Sequence, residues 1–188
     1  DNVSFTLTAG SCTLIGGANG SGKSVLMTLI AGLDSPDSGT ITVACDGKKA
    51  HAGLVFQDAD SQILGETPLE DVMYGLLNTG WKRQAARQKA LDVLAQAGLA
   101  GRELSPAHFL SGGEKRRLAV AGILAMDCPL VIFDEPYANL DYPGVQEVNS
   151  LIRMLKKNGH TLIILTHELE KSLALADRFI VLYRGKKV

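Results

Sequence analysis

One run of eight residues has the composition of a phosphate-binding loop. The run Gly17-Ala18-Asn19-Gly20-Ser21-Gly22-Lys23-Ser24 matches the pattern G-x-x-x-x-G-K-[ST] and lies between a predicted strand and a predicted helix. Glycines let backbone N–H groups converge on phosphate oxygens, and the start of a helix adds the positive end of its dipole. Lys23 then reaches the β and γ phosphates, and Ser24 is placed to ligate Mg²⁺. The alternative, a glycine-rich turn with a solvated lysine, explains neither the pattern nor its position.

Two adjacent carboxylates follow a second apolar run. Asp134 and Glu135 come directly after Leu130-Val131-Ile132-Phe133, and the carboxyl ends of strands in an open α/β sheet face the ligand crevice. Asp134 would hold Mg²⁺ through its water shell, and Glu135 would take a proton from the attacking water. Such a pair seen alone is more often a solvated strand end. Beside a phosphate-binding loop, the hydrolytic interpretation is favoured.

A third motif is Leu110-Ser111-Gly112-Gly113-Glu114. Ser111 and Glu114 fit a capping box at the start of a helix, and that explanation suffices for these two residues. It does not account for Gly112 and Gly113, which weaken a first helical turn unless a group such as a phosphate must approach the backbone closely.

The segments around these motifs alternate between strand and helix patterns. This alternation predicts an α/β fold whose parallel sheet is covered on both faces, with the middle helices inserted into it. The predicted strands are 3–7, 12–16, 41–43, 54–56, 130–133, 161–165 and 179–182, and the predicted helices are 23–30, 69–77, 85–97, 113–126, 144–156 and 168–176.

Composition limits the class of protein. With 188 residues, 46% apolar and 21% charged, the chain fits one globular domain. A net charge of −1 gives no broad electrostatic reason to bind nucleic acid. Cys12, Cys45 and Cys128 lack the spacing of a zinc site or a disulfide framework, which indicates a reducing compartment. The longest nearly apolar run, 118–126, is too short to cross a bilayer, and we expect the chain to be cut at both ends.

In its ordered motifs the sequence resembles the ATP-binding-cassette (ABC) ATPases. All six of the family's motifs occur in the family's order: the phosphate-binding loop Gly17 to Ser24, Gln57, the signature Leu110 to Glu114, Asp134-Glu135, Asn139-Leu140-Asp141, and His167. The resemblance implies one ABC ATPase domain over 1–188, with a P-loop NTPase core, a mostly parallel sheet, a small N-terminal antiparallel β part and a helical insertion at about 69–126.

The resemblance also implies a head-to-tail pair of ATPase subunits, in which the phosphate-binding loop of one and the 111–113 turn of the other enclose the same ATP. The catalytic residues that the resemblance implies are Glu135, His167 and Gln57. The Mg²⁺ ligands that it implies are Ser24, Gln57 and Asp134. Nucleotide contacts fall on Asn19, Gly20, Ser21, Gly22, Lys23, Ser24, Val25, Ser111, Gly112, Gly113 and Asp141. Val25, Tyr137 and Asn139 depart from the residues that the family usually carries there.

A finer resemblance lies after the glutamine. The runs 55–62, 70–72 and 74–78 are similar to the ATPase subunits of energy-coupling-factor vitamin importers and of cobalt or nickel importers. This implies a peripheral subunit on the cytoplasmic face of the membrane, with a transmembrane subunit docking near Gln57. A soluble ABC ATPase acting on nucleic acid or ribosomes is the alternative, and a metabolic kinase would leave the signature unexplained. The transported substrate, and whether the pair is two copies or two related chains, stay open.

Overall fold

A mostly parallel sheet forms the larger part of the fold. The computed structural model describes residues 2–45 and 47–188. The strands are β1 Cys12–Gly16, β2 Ala44–Cys45, β3 Lys48–Lys49, β4 Ala52–Val55, β5 Leu130–Asp134, β6 Thr161–Thr166, β7 Arg178–Tyr183 and β8 Lys186–Lys187. The main sheet has the order β4-β5-β6-β1-β7-β8, with β8 antiparallel to β7 and the other pairs parallel. β2 and β3 form a small antiparallel pair. The predicted α/β class is confirmed.

The central strands are buried on both faces. Every residue of β1 is buried, and so are Leu130 to Phe133 of β5 and Leu162 to Thr166 of β6. Uninterrupted apolar runs of this kind are what a parallel sheet covered by helices requires. Register places Gly16 opposite Thr166 and Asp134 opposite Leu165. The segments that follow β1, β5 and β6 therefore leave the sheet at the same edge.

The chain divides into two compact units, one of residues 1–57 and 128–188 and the other of residues 58–127. The helices are α1 Lys23–Ile30, α2 Pro68–Asn78, α3 Arg83–Gln96, α4 Gly112–Ala125 and α5 Tyr142–Lys157. The first unit holds the sheet with α1 and α5, and the second holds α2, α3 and α4, whose apolar faces pack on one another. No helix in the described part of the chain is long and apolar enough to span a membrane.

Three predicted elements are wrong. Residues 3–7 keep the predicted alternation, with Val3, Phe5 and Leu7 half-buried, but they are not assigned to a strand. The carbonyl oxygens of Ser4 and Thr6 accept hydrogen bonds from lysine and arginine side chains instead of from a neighbouring backbone.

The second is the helix predicted over 168–176. Two 3₁₀ turns, Leu169–Lys171 and Leu173–Leu175, replace it. Ser172 separates them with a φ of −121° and is fully buried, so the segment is not one continuous helix. The third is the strand predicted over 41–43: those residues are not in a strand, and a two-residue strand lies at Ala44–Cys45 instead.

Asp177 ties together three elements of the sheet unit. Its carboxylate accepts a hydrogen bond from the Cys12 backbone N–H at 2.8 Å, and the Lys156 ammonium lies 2.6 Å from Oδ2. The Cys12 N–H, and next the Lys156 side chain, hold the pKa of Asp177 below its ordinary value. Burial raises the pKa of the adjacent Cys12 thiol to about 11, so the thiol stays protonated at neutral pH.

We expect Asp177→Asn to lower the free energy of unfolding at pH 7 by up to about 1 kcal/mol, because Lys156 loses its ionic partner at a partly exposed site. A depressed folded-state pKa stabilises the fold fully above the unfolded value, near 3.8, and the effect disappears as the pH falls through the folded value. In urea unfolding, the free energy of unfolding of the variant should therefore lie below that of the wild type by the same amount at pH 7 and pH 5. This difference should become smaller only below about pH 4. The exposed Asp37→Asn is the control, and a deficit that grows on acidification contradicts the prediction.

Candidate functional site

The loop after β1 forms a narrow cradle of backbone. Gly20 and Gly22 have φ values of 77° and 100°, in the left-handed region that favours glycine. A Cβ atom on Gly17 would lie 2.5 Å from the Ser21 Oγ and 2.6 Å from the Leu182 carbonyl oxygen, so only glycine fits there. The loop closes with a hydrogen bond from the Ser21 N–H to the Ala18 carbonyl at 3.0 Å.

Lys23 projects its ammonium group back into this cradle. Nζ donates to the Gly17 carbonyl at 2.7 Å and lies 3.4 Å from the Ala18 carbonyl oxygen. Only 7% of the side chain is exposed, and its nearest carboxylate oxygen is Glu135 Oε1 at 3.7 Å. A buried ammonium held mainly by backbone carbonyls retains attraction for an incoming anion.

The cradle fits a phosphate group. Within the described residues, the buried Ser21 Oγ has no hydrogen-bond partner. α1 begins directly after Gly22 with no acidic residue in its first turn and no side chain capping its N–H groups. These donors, the helix dipole and the Lys23 ammonium all favour an anion at the start of α1. Ser24 and Val25 on the first turn are exposed, as is Asn19 in the loop.

A carboxylate pair lies at the end of β5. Burial, and next the neighbouring Glu135 carboxylate, raise the pKa of Asp134 above its ordinary value, while the Lys23 ammonium lowers it. Glu135 has a φ of 43°, which is strained for a residue with a side chain. Its backbone N–H donates to the Leu165 carbonyl at 2.8 Å, which secures this conformation against the end of β6.

His167 meets Glu135 just beyond β6. Its Nδ1 lies 2.9 Å from the Glu135 Oε2, and its backbone N–H donates to the same oxygen at 3.2 Å. When a carboxylate is ionised it only accepts hydrogen bonds, so this contact then takes the imidazole tautomer with the proton on Nδ1, which leaves Nε2 for another partner. The histidine is about half exposed, whereas Glu135 is 13% exposed. Lys23, Glu135 and His167 are thus brought together from three segments of the chain.

The other predicted site residues have separate positions. Gln57 is exposed and follows β4 by two residues. Asp141 caps α5, its carboxylate accepting the Gly144 N–H at 3.0 Å. These two belong to the same unit as the phosphate-binding loop.

The signature residues lie in the helical unit. Ser111 and Glu114 form the predicted capping box, with the Glu114 N–H donating to Ser111 Oγ at 3.2 Å and the Ser111 N–H donating to the Glu114 carboxylate at 2.8 Å. The hydrogen bond from the Ser111 backbone N–H, and next that from the Arg102 side chain, lower the pKa of Glu114. A Cβ atom on Gly112 would meet nothing within 4 Å. Packing within its own chain therefore does not require this glycine.

Sequence reasoning missed one support of the loop. The Gly185 N–H, in the turn between β7 and β8, donates to the Ser21 carbonyl at 3.0 Å. This turn is far from the loop in sequence and carries no motif, so only the sheet order, with β7 beside β1, brings the two together.

Comparison with protein families places these features in context. A family model described as ABC transporter matches residues 1–138. The chain is 38% identical over 197 residues to the energy-coupling factor transporter ATP-binding protein EcfA2 of Methanospirillum hungatei, covering 98% of this chain and 49% of that protein. It is 37% identical over 198 residues to the cobalt import ATP-binding protein CbiO of Rhodobacter capsulatus, covering 100% of this chain and 70% of that protein.

Solved structures resemble the fold closely. The structure of cbiO1 from Clostridium perfringens, part of the ABC transporter complex cbiONQ, aligns with a TM-score of 0.84 and 30% identity over 98% of this chain and 78% of that one. The ATP-binding cassette MJ0796, solved as a dimer in a post-hydrolysis state with ADP and Pi, aligns with a TM-score of 0.81 and 28% identity, covering 99% of this chain and 87% of that one. The chain spans about half of the M. hungatei relative and more of the others.

We expect Lys23→Ala to weaken ATP binding by about a hundredfold or more, since charge-assisted contacts contribute about 1.5–3 kcal/mol each. Isothermal titration calorimetry measures the Kd, and circular dichroism checks that the fold is retained. Lys157→Ala, on the exposed side of α5, is the matched control. An unchanged Kd for Lys23→Ala contradicts the assignment of this loop to phosphate binding.

Proposed function

Because the chain belongs to the ABC transporter family of ATP-binding proteins, we propose that it binds ATP and hydrolyses it to drive import through a transmembrane partner. One observation carries the hydrolytic part of this proposal: Lys23, Glu135 and His167 meet at a backbone cradle that fits phosphate. Phosphoryl transfer depends mainly on positioning and charge neutralisation, and this constellation offers both.

Each residue has a distinct role in the proposal. The loop from Asn19 to Val25 binds the phosphates, and the Lys23 ammonium neutralises charge on the β and γ groups. Glu135 accepts a proton from the attacking water, and its carboxylate is oriented for this by the Nδ1–H of His167. The exposed side of that imidazole contacts the γ-phosphate. Gln57 orients the water from the end of β4.

Mg²⁺ accompanies the nucleotide in this proposal. Among residues 2–45 and 47–188, no group of three or more histidine, cysteine, aspartate and glutamate side chains forms a metal site by itself. Mg²⁺ typically binds through one or two protein groups together with substrate phosphates and water, so a site with few protein ligands is compatible with Mg²⁺. The Ser24 hydroxyl, Asp134 and Gln57 would hold it. When bound, the ion neutralises charge between the β and γ phosphates.

A second ATPase subunit completes the site in this proposal. The Ser111, Gly112 and Gly113 turn starts α4 with exposed backbone, and Gly112 leaves room that nothing in its own chain fills. A helix start of this kind binds phosphate well. The turn of one subunit would cover the ATP held by the other, with Asp141 at the interface. A two-fold pair then makes two equivalent sites, and the partner is a second copy or a related chain.

The import function rests on the relatives. EcfA2 and CbiO are named as an energy-coupling factor transporter protein and a cobalt import protein. Together with the resemblance in the segment after Gln57, this supports a vitamin or a transition-metal ion as the proposed cargo. The chain would sit as a peripheral subunit on the cytoplasmic face of the membrane. The transmembrane subunit would dock on the segment after Gln57, which exposes 70% of Leu64. A net charge of −1 gives nucleic acid no comparable support.

We expect Glu135→Gln to form an ATP-dependent pair, because the neutral amide cannot accept the water proton and the closed state persists. Gel filtration with light scattering, with and without Mg-ATP, measures the mass. Adding Ser111→Arg to the same chain should abolish pairing while ATP binding persists, since the turn belongs to the partner's site. A Glu135→Gln chain that stays monomeric with Mg-ATP argues against the shared site.

We expect Leu64→Asp to reduce association with the transmembrane subunit, because a charge replaces an exposed apolar contact on the proposed docking segment. The measurement is the fraction of chain that co-purifies with membranes from cells expressing the whole transporter. Leu33→Asp, of similar exposure in the loop after α1, is the control. If the two variants co-purify equally well, this segment is not the docking surface.

A further inference from the structure

A buried chain of hydrogen bonds joins two turns at the carboxyl edge of the sheet. The Tyr137 hydroxyl donates to the Asn149 Oδ1 at 2.8 Å, and the Asn149 amide donates to the Lys171 carbonyl at 3.1 Å. Tyr137 is fully buried and Asn149 is 6% exposed. Three separate segments therefore meet through side chains inside the core: the turn after β5, helix α5 and the 3₁₀ turn after His167.

Burying these polar groups brings specific geometry at an energetic cost. A phenol and an amide lose their hydration inside the fold and need each other to recover it. Burial raises the pKa of Tyr137 well above its usual range, so its hydroxyl remains a donor. Apolar side chains of the same size would fill this space with no such requirement. What the polar pair adds is a fixed distance between the turns that carry it.

The connected turns are the ones that hold Glu135 and His167. Tyr137 follows Glu135 by two residues, and Lys171 follows His167 by four. Glu135 adopts a φ of 43°, and such strain persists only where the surroundings hold it. Its N–H bond to Leu165 fixes the residue to β6. The segment beyond His167 is joined to the turn after Glu135 by the Tyr137 and Asn149 link.

We propose that Tyr137 is a positioning residue for ATP hydrolysis: through Asn149 its hydroxyl holds the turn after Glu135 against the turn after His167. The 2.9 Å contact between Glu135 and His167 is then kept through each turnover. This inference rests on the proposed function, since it concerns the same hydrolytic site. Because Tyr137 is fully buried, its side chain is not available to bound nucleotide, and its effect should fall on the chemical step and not on ATP affinity.

The test uses Tyr137→Phe, which removes one oxygen and keeps the ring. ATP hydrolysis is measured on the full chain together with the subunits that co-purify with it, and ATP affinity is measured by calorimetry. We expect kcat to fall about five- to twentyfold, less than the roughly hundredfold that a 1 Å displacement costs, while KM and Kd change less than about twofold. Tyr183→Phe, 56% exposed on β7, is the matched control and should leave both constants unchanged.

A double variant separates positioning from stability. Tyr137→Phe leaves the buried Asn149 oxygen unpaired and should lower the thermal midpoint by a few degrees. Adding Asn149→Leu removes the unpaired amide oxygen and leaves only the Lys171 carbonyl without its donor, so the midpoint should rise part of the way back while kcat stays low. If kcat recovers with the midpoint, the network only stabilises the fold and the inference is wrong.

Failure of the positioning role can be distinguished from failure of the proposed function. If Tyr137→Phe retains the wild-type kcat in a chain that hydrolyses ATP, the positioning role is overturned and the proposed function stands. If the wild-type assembly neither binds nor hydrolyses ATP, the proposed function falls, and the inference falls with it.

Discussion

The carboxyl ends of β5, β6 and β1 are neighbours at one edge of the sheet, and the site depends on this adjacency. β6 lies between the other two, so the residues that follow it start beside the ends of both neighbouring strands. Lys23 and Glu135 follow strands that lie two positions apart in the sheet, β1 and β5, and still come within 3.7 Å of each other. Parallel pairing makes this possible, because it sends all three chain exits in the same direction.

Backbone conformation at this edge has two different origins. In the phosphate-binding loop, glycines adopt positive φ without steric penalty, so the cradle costs mainly the entropy of ordering it. Glu135 adopts a similar φ at a cost of about 1–2 kcal/mol. Hydrogen bonds to Leu165 and from His167 offset that cost. The strained residue is also the one proposed to handle the water, which agrees with the tendency of strain to collect at functional sites.

The helical unit supplies a different kind of element. Its three helices bury an apolar core of their own, and at the start of α4 they present a capped but uncovered turn. The Ser111 side chain accepts a hydrogen bond from a backbone N–H of the first helical turn. At Gly112, a Cβ atom would meet no atom of the same chain within 4 Å. The proposed second subunit would give this glycine a role, because its ATP would approach the turn closely. A monomer of this chain would then hold two halves of different sites.

The sequence alone determined the chemical groups and the order of the elements. Gly17 to Ser24 could be identified because phosphate binding demands glycines and a lysine at fixed short spacing, and the strands β1, β5 and β6 because burial on both faces demands uninterrupted apolar runs. The tertiary structure decided which distant groups meet. The pairing of Glu135 with His167, the support of Ser21 by Gly185, and the link from Tyr137 through Asn149 to Lys171 are contacts across long sequence separations. No local propensity encodes such contacts, because they follow from strand order and register. The segment 168–176 shows the same limit: its residues favour helix, but in the tertiary structure it forms two 3₁₀ turns on either side of the buried Ser172.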